Sequence, residues 1–358
     1  MTSVAPVGAN ATKLWGLTAE ERLCRIARAQ KFDMASEGEL LVNLAYAFDP
    51  AWLRFVAARP GTVVTHGGIP VLANGAEPPV RNAMEAGTPW QGAGALAWET
   101  SGGLENEELR KKERPFMDRL TPDTVRSLER ASYFGAYKGV TDLLTKYLWP
   151  GWALVLTRLA ARIGMSPDKV TGIGAVLCIW ATWLFYHGDY WPGLAAGLVF
   201  MVLDTVDGKL ARCTIASSKR GEVLDHGIDL VHPPFWWWAW GVGLHSHGRP
   251  LKPDIFWWTL AVIVGGYVVQ RLIEGAFIAR FKMHIHVWRR FDSRFRLVTA
   301  RRNPNMVILV VALIAGRPDR GLLAVAAWTL ISLAVHAVQL VQAMAARARG
   351  EKIVSWLA

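Results

Sequence analysis

Between residues 204 and 229 the chain reads D-T-V-D-G-K-L-A-R, then eight residues, then G-E-V-L-D-H-G-I-D. Four carboxylates stand out, Asp204, Asp207, Asp225 and Asp229. On a helix, residues three or four apart share a face, so Asp204 with Asp207 forms one pair and Asp225 with Asp229 a second on the next helix. Both pairs sit within otherwise apolar stretches, where clustered negative charge is too costly to leave uncompensated. Hard divalent cations with oxygen ligands, Mg²⁺ or Mn²⁺, are the natural compensation, and such ions usually accompany phosphates. The pattern points to metal-assisted phosphate chemistry at a membrane surface.

Two consecutive helices must present these acids, and the composition supplies them. The chain has 358 residues, 52% of them hydrophobic, with 18 Trp, and its mean hydropathy is positive. These values suit a soluble part joined to a membrane part. Residues 1–138 hold 16 Lys and Arg against 16 Asp and Glu, whereas residues 139–358 hold 24 against 13 and so carry the whole excess of +11. A basic surplus beside apolar segments is expected near anionic headgroups and nucleotide phosphates. Because it is interleaved with spanning segments, nucleic acid is not an expected partner. Cys24, Cys178 and Cys213 show neither a disulfide framework nor zinc-ligand spacing. The first residues lack a basic segment followed by an apolar core, so no cleavable signal is expected and the first membrane helix acts as the insertion signal.

Residues 1–138 are expected to form a small soluble α/β domain. Thr18 and Glu21 make a capping box that opens a helix through about Gln30. Short apolar runs separated by Gly and Pro fit strands and turns. The charged run from Glu105 to Arg130 reads as linker and solvated helix face. Residues 139–358 are expected to form an all-α polytopic membrane domain. An interfacial helix carrying Lys146, Arg158 and Arg162 with Trp149 and Trp152 precedes six transmembrane helices, at about 169–187, 191–212, 221–244, 254–278, 304–316 and 321–345. The segment from Arg280 to Arg302 holds eight Lys and Arg and one acid, Asp292. That bias puts both termini and the acidic cluster in the cytoplasm. Trp191, Trp236 to Trp238, Trp240, Trp257 and Trp258 read as an aromatic belt at the opposite interface. Arg271 and Glu274, late in the fourth span, are expected to pair or to line the cavity, and His284 and His286 read as loop residues.

The pattern D-x-x-D-G-x-x-A-R-x8-G-x-x-x-D-x-x-x-D resembles the signature of the CDP-alcohol phosphatidyltransferase superfamily. Every fixed position is met, by Asp204, Asp207, Gly208, Ala211, Arg212, Gly221, Asp225 and Asp229, and S-P-D-K-V-T at residues 166–171 resembles a further family segment. The resemblance covers about residues 139–345. It implies an integral membrane enzyme of a bacterial-type inner membrane that cleaves a CDP-linked donor, releases CMP and passes a phosphatidyl or phospho-alcohol group to an acceptor hydroxyl, in phospholipid biosynthesis. Carried over, Asp204, Asp207 and Asp225 would bind one or two divalent ions. Asp229 would approach the ions and act as general base. Glu222 and His226 resemble the choline/ethanolamine phosphotransferase branch, in which the histidine competes for the base role. Homodimers are common among such relatives. The helix around residues 15–30 resembles the first helix of sugar-phosphate nucleotidyltransferases, but no Gly-rich phosphate loop precedes it, which implies a degenerate, non-catalytic domain.

Within the motif, Gly208 and Gly221 remove side chains where a nucleotide lies close to the backbone, and Ala211 keeps the groove shallow. Arg212 offers a planar fork to a phosphate oxygen. Lys209 either neutralises diphosphate charge or is an ordinary positive-inside residue. Arg301 and Arg302, with Glu222, are candidate contacts for the acceptor. The donor is expected to be CDP-diacylglycerol and the acceptor a polar alcohol. The reverse pairing, a CDP-headgroup passed to a lipid hydroxyl, is the alternative that Glu222 and His226 suggest. A polyprenyl transferase would need Asn before its first Asp, where Leu203 stands, and a distant second motif. A transporter using the acids as a cation site would not need Arg212 at this spacing.

Overall fold

The computed structural model describes residues 2–75, 78–106 and 109–357, and the side chains of residues 104–106, Arg220, Glu222 and Asp225 lie outside the described set. The chain divides into two compact units. One comprises Met1–Tyr137, Leu154–Pro167 and Gly208–Ser217, and the other Lys138–Ala153, Asp168–Asp207 and Ser218–Ala358.

The first unit is built on a six-stranded mixed sheet. Its strands are β1 (Ser3–Val7), β2 (Asp33–Met34), β3 (Leu40–Asn43), β5 (Val63–His66), β6 (Ile69–Asn74) and β7 (Ala95–Ala97), in the order β2-β1-β3-β6-β5-β7. β1 runs parallel to β2 and β3, while β6 is antiparallel to β3 and β5. Tyr46–Phe48 (β4) pairs with Met117–Arg119 (β10), and Leu104–Asn106 (β8) with Lys111–Glu113 (β9). Ala5, Val7, Leu41, Val63, Ala73, Val80 and Met84 form one core cluster. Helix α1 (Ala19–Gln30) starts where the sequence places it. The Thr18 hydroxyl accepts from the Glu21 N–H, and the Glu21 carboxylate accepts from the Thr18 N–H. Leu23, Ile26 and Ala27 bury one face of α1, and Lys31 ends it at φ 62°. Helices α2 (Pro50–Ala57), α3 (Pro78–Ala86) and α4 (Val125–Gly135) complete this part.

The remaining elements are helical: α5 (Leu143–Tyr147), α6 (Pro150–Arg162), α7 (Pro167–His187), α8 (Tyr190–Cys213), α9 (Lys219–Gly243), α10 (Pro253–Phe281), α11 (Arg290–Phe295), α12 (Arg302–Ile314) and α13 (Pro318–Ala348). Six helices coincide with the six expected spans. Among the described residues only α7, α10 and α13 are long and apolar enough to cross a membrane, with mean hydropathies of 1.4, 1.5 and 2.0. The physical reasons are local. α8 carries Asp204, Asp207, Lys209 and Arg212, and α9 begins with a run of ionisable residues. α12 has 13 residues, about 20 Å at 1.5 Å per residue and short of a hydrocarbon core of about 30 Å.

The expected aromatic belt needs correction. Trp191, Trp257 and Trp258 are exposed, but Trp236, Trp237 and Trp240 are fully buried inside the helical unit. The Trp236 indole donates to the Cys178 carbonyl at 3.2 Å. A Cβ built at Gly197 would lie 2.9 Å from Trp236, and one at Gly321 3.0 Å from Trp240, so these indoles fill the space that glycines on facing helices leave. Trp152, Val155 and Leu159 of α6, with Ile163 just beyond its end, are exposed as one apolar stripe, while Trp149 is buried.

Candidate active site

Asp204 on α8 and Asp229 on α9 are brought together by a residue from a third helix. Arg302, at the start of α12, donates from Nη2 to Asp204 Oδ2 and from Nη1 to Asp229 Oδ1, each at 2.8 Å. Its fork is held from behind. Arg302 Nε donates to Asn303 Oδ1 at 3.0 Å, and Asn303 Nδ2 donates to Asp142 Oδ1 at 3.0 Å. Asp142 caps α5 by accepting from the Thr145 N–H and hydroxyl. Burial opposes its charge, but Arg296, the Thr145 groups and the Asn303 amide more than offset this and hold the carboxyl below its ordinary value. The Arg302 guanidinium also lies 5.0 Å from the centre of the Phe200 ring.

Asp207 is 4% exposed, and its Oδ2 accepts from the Thr171 hydroxyl at 2.6 Å. Thr171, Gly174, Phe200, Asp204, Asp207 and Ile228 line one small cavity. α7 and α8 approach closely there, since a Cβ at Gly174 would lie 3.3 Å from Phe200. Thr171 is the last residue of the segment singled out in the sequence, but only the fold shows that its hydroxyl holds Asp207. The Asp225 and Glu222 side chains lie outside the described residues. His226 is exposed on α9, one residue after Asp225 and three before Asp229.

The glycines of the motif have neighbours in the protein itself. A Cβ at Gly208 would lie 3.1 Å from Arg212 Nη2, because the guanidinium folds back over the glycine one turn earlier. At Gly221 it would lie 2.5 Å from Asp168 Oδ1, and the Gly221 N–H donates to the α9 cap Ser218 at 2.9 Å. Lys209, which the sequence leaves open between phosphate neutralisation and positive-inside charge, contacts the protein itself. It is 3% exposed, its Nζ donates to the Ala136 carbonyl at 2.8 Å, and the ammonium sits 3.1 Å from the centre of the Tyr137 ring. Tyr133 and Tyr137 share a hydroxyl hydrogen bond of 2.8 Å. Burial pushes both phenols up, Tyr137 to about 12, so Lys209 meets neutral rings. Arg301 departs from the expected acceptor contact, since its Nη2 donates to both oxygens of Glu274.

Glu274, His286 and His336 form a second cluster, with ligand atoms within 4.8 Å of one another. Arg271 pairs with Glu274 at 3.2 Å, as the sequence suggests, and His286 Nε2 lies 3.3 Å from the same carboxylate. What the sequence does not reveal is that His286 is buried at 2% exposure; burial pushes its pKa well below the ordinary value. Charge separates the two clusters. One carboxylate faces two guanidinium groups at Glu274, a net positive surrounding that repels a dication. At the motif, Asp204 and Asp229 share the guanidinium of Arg302, and Asp207 accepts from the Thr171 hydroxyl. The described carboxylates of the motif are hard oxygen ligands of the kind that fits a divalent cation.

Comparison with known proteins concerns the part of the chain that holds the motif. Residues 165–338 match the family model of the CDP-alcohol phosphatidyltransferases. This part of the chain is similar to a CDP-alcohol phosphatidyltransferase domain. Over 127 residues the chain is 31% identical to cholinephosphotransferase 1 of Gallus gallus, covering 32% of this chain and 36% of that protein. Over 94 residues it is 34% identical to phosphatidylinositol phosphate synthase of Mycobacterium marinum, covering 24% and 40%. Over 134 residues it is 31% identical to the protein of the same name from Mycolicibacterium smegmatis, covering 36% and 57%. The chain thus spans between about a third and three fifths of the length of these curated relatives. All three alignments fall within one family of membrane enzymes, and the matched region contains every motif residue together with Thr171 and Arg302.

Proposed function

We propose that the protein transfers a phosphatidyl group from CDP-diacylglycerol to the hydroxyl of a polar alcohol, releasing CMP, at the cytoplasmic face of the membrane. The observation that carries this reading is the convergence of Asp204 and Asp229, from two helices, on the one guanidinium of Arg302 beside the Asp207 cavity. Asp204, Asp207, Asp225 and Asp229 would hold one or two divalent ions. Such ions supply charge neutralisation to the diphosphate and to the departing CMP. The chain's own groups do the rest. Thr171 fixes one oxygen of Asp207 and so orients its carboxylate. Arg212, lying over Gly208, presents its fork to the donor phosphates, with Ala211 and Gly221 keeping the approach open.

In the transfer, a bond forms between the acceptor oxygen and the β-phosphorus. The bond from that phosphorus to the bridging oxygen breaks, CMP leaves with the electron pair, and the hydroxyl proton passes to Asp229 or His226. The fixed orientation that Arg302 gives Asp229 supports its role as the base. Eight basic residues between Arg280 and Arg302 support a cytoplasmic site and cytoplasmic termini.

The reverse pairing, a CDP-headgroup given to a lipid hydroxyl, draws support from the similarity to a cholinephosphotransferase and from His226 beside Asp225. One experiment decides between them. Purified protein is incubated with Mn²⁺ and a panel of CDP-linked donors and alcohols, and products are read by mass. Phosphatidyl-alcohol with equimolar CMP is the expected result. Product from CDP-choline or CDP-ethanolamine with diacylglycerol selects the reverse pairing, and release of pyrophosphate or of nothing removes both.

A further inference from the structure

We infer that Arg22 and Arg25 of the N-terminal α/β region are positioning residues that grip the end of the motif helix and set the Gly208–Arg212 segment for donor binding. The inference rests on the reading of that segment as the donor-phosphate contact.

The carbonyls at a helix C-terminus have no intrahelical donors and must be satisfied elsewhere. At the end of α8 each one can be traced. Leu210 O accepts from the Thr214 N–H at 2.9 Å and its hydroxyl at 2.6 Å, and Ala211 O from the Ala216 N–H at 2.8 Å. Arg212 O accepts from the Ile215 N–H at 3.4 Å, a turn that takes Ile215 to φ 52°. The next two carbonyls are satisfied from far along the chain. Arg22 Nη1 donates to Cys213 O at 3.2 Å, and Arg25 Nη1 donates to Thr214 O at 2.8 Å.

Arg22 and Arg25 lie three residues apart on one face of α1, and their positive charge complements the negative end of α8. Arg22 is 5% exposed. Its Nη2 donates to the Phe48 carbonyl at 3.0 Å, while its Nε has no partner. Burying a guanidinium with an unsatisfied N–H is costly, and burial lowers its pKa. An apolar side chain would fill that space at less cost. What the guanidinium adds is direction, because its two Nη groups tie the α8 carbonyl to the end of β4. Lys209 fastens the same helix at the Ala136 carbonyl, immediately after Gly208. Three basic side chains thus fix the rotation and height of the turn that carries Gly208, Ala211 and Arg212.

The test uses the full chain with Arg25→Gln, Arg22→Met and the conservative Arg22→Lys, and with Arg28→Gln on the exposed side of α1 as control. CMP release is measured against CDP-donor concentration, and amide hydrogen exchange is followed over residues 208–217. Losing a charge-assisted bond should raise donor KM about tenfold in Arg22→Met, with a smaller rise in Arg25→Gln. We expect kcat to change much less, exchange over 208–217 to accelerate, Arg22→Lys to recover part of the KM, and Arg28→Gln to match the parent. Should Arg22→Met fail to fold, the part-exposed Arg25→Gln carries the test. Unaltered donor KM overturns the inference, even if exchange is faster, because the grip would then serve folding alone. If the parent protein releases no CMP from any CDP donor, the functional reading fails instead, and unchanged exchange would still disprove the grip.

Discussion

Arg302 is the residue on which the electrostatics of the site turn, and replacing it gives a test that does not depend on knowing the substrate. In Arg302→Met the side chain keeps much of its volume, but Asp204 and Asp229 lose their shared donor. Asp204 and Arg302 are mostly shielded, with side-chain exposures of 18% and 12%, whereas Asp229 is 46% exposed. A charge-assisted hydrogen bond in the shielded pair contributes about 1.5–3 kcal/mol, and the exposed pair about 1 kcal/mol or less. Without divalent ions the variant should therefore be less stable by about 2–4 kcal/mol. For a membrane unit of this size that corresponds to a fall in Tm of about 5–15 °C.

Added Mn²⁺ should reverse the order of response. The carboxylates freed from Arg302 bind a dication without competition, so the metal-induced rise in Tm should be larger in the variant than in the parent. Saturation at about a hundred times Kd would add about 2.7 kcal/mol. Thermal unfolding in detergent, with chelator and across a Mn²⁺ titration, measures both quantities. Equal Tm in chelator, or a smaller metal response in the variant, would refute the reasoning that the motif carboxylates and Arg302 form one charge-balanced ion site.

Further outcomes follow from single contacts. Thr171→Val is nearly isosteric and removes the hydroxyl held by Asp207; turnover should fall by about 10- to 100-fold with Tm little changed, as read by CMP release and a melting curve. Asp229→Asn should abolish turnover while sparing binding of the CDP donor, measured by calorimetry, and full activity in that variant removes it as the base. Gly243→Ala would put a Cβ 1.9 Å from the Phe185 carbonyl oxygen, a backbone atom that cannot swing aside, so a loss of several kcal/mol or failure to fold is expected in a urea or thermal melt. His286, buried with its pKa held down, keeps its contribution to stability above the unfolded value of about 6.5 and loses it as pH falls below that, where only the unfolded chain takes up the proton. Lowering the pH from 7.5 to 5.5 should reduce Tm, and His286→Gln should flatten that slope.

The parts of the fold that the sequence makes legible are those governed by neighbours in the chain. The α1 cap depends on Thr18 and Glu21, three residues apart, and both partners are visible in the letters. The pairing of Asp204 with Asp207 is legible for the same reason, since helical spacing brings both to one cavity. What stays hidden depends on residues far apart in the chain. Arg302 is 98 residues from Asp204 and 73 from Asp229, and nothing in its flanking residues distinguishes it from Arg301, which turns instead to Glu274. Lys209 sits inside the motif, where a basic residue invites assignment to phosphate, yet the carbonyl of Ala136, 73 residues away, takes up its ammonium. Trp236, Trp237 and Trp240 look like interfacial anchors by composition and are buried, Trp236 and Trp240 in space that glycines on other helices leave.

Charge makes the same distinction at the two candidate ion sites. By residue type alone, Glu274 with His286 and His336 is the better metal triad, having two imidazoles and a carboxylate within reach of one another. The fold places Arg271 and Arg301 on that carboxylate and so reverses the preference. At the motif, Arg302 serves two acids, Asp204 and Asp229, and Asp207 accepts from the Thr171 hydroxyl. Ligand identity nominates both places, and the two guanidinium groups on Glu274 weigh against a dication there. A second readout follows. Arg301→Met should open the Glu274 cluster to divalent ions, detectable as a new Mn²⁺-dependent rise in Tm in a background where Asp204→Asn has weakened the motif site. If that double variant gains no metal response while Asp204→Asn alone also shows none, local charge is not what keeps ions out of the Glu274 cluster.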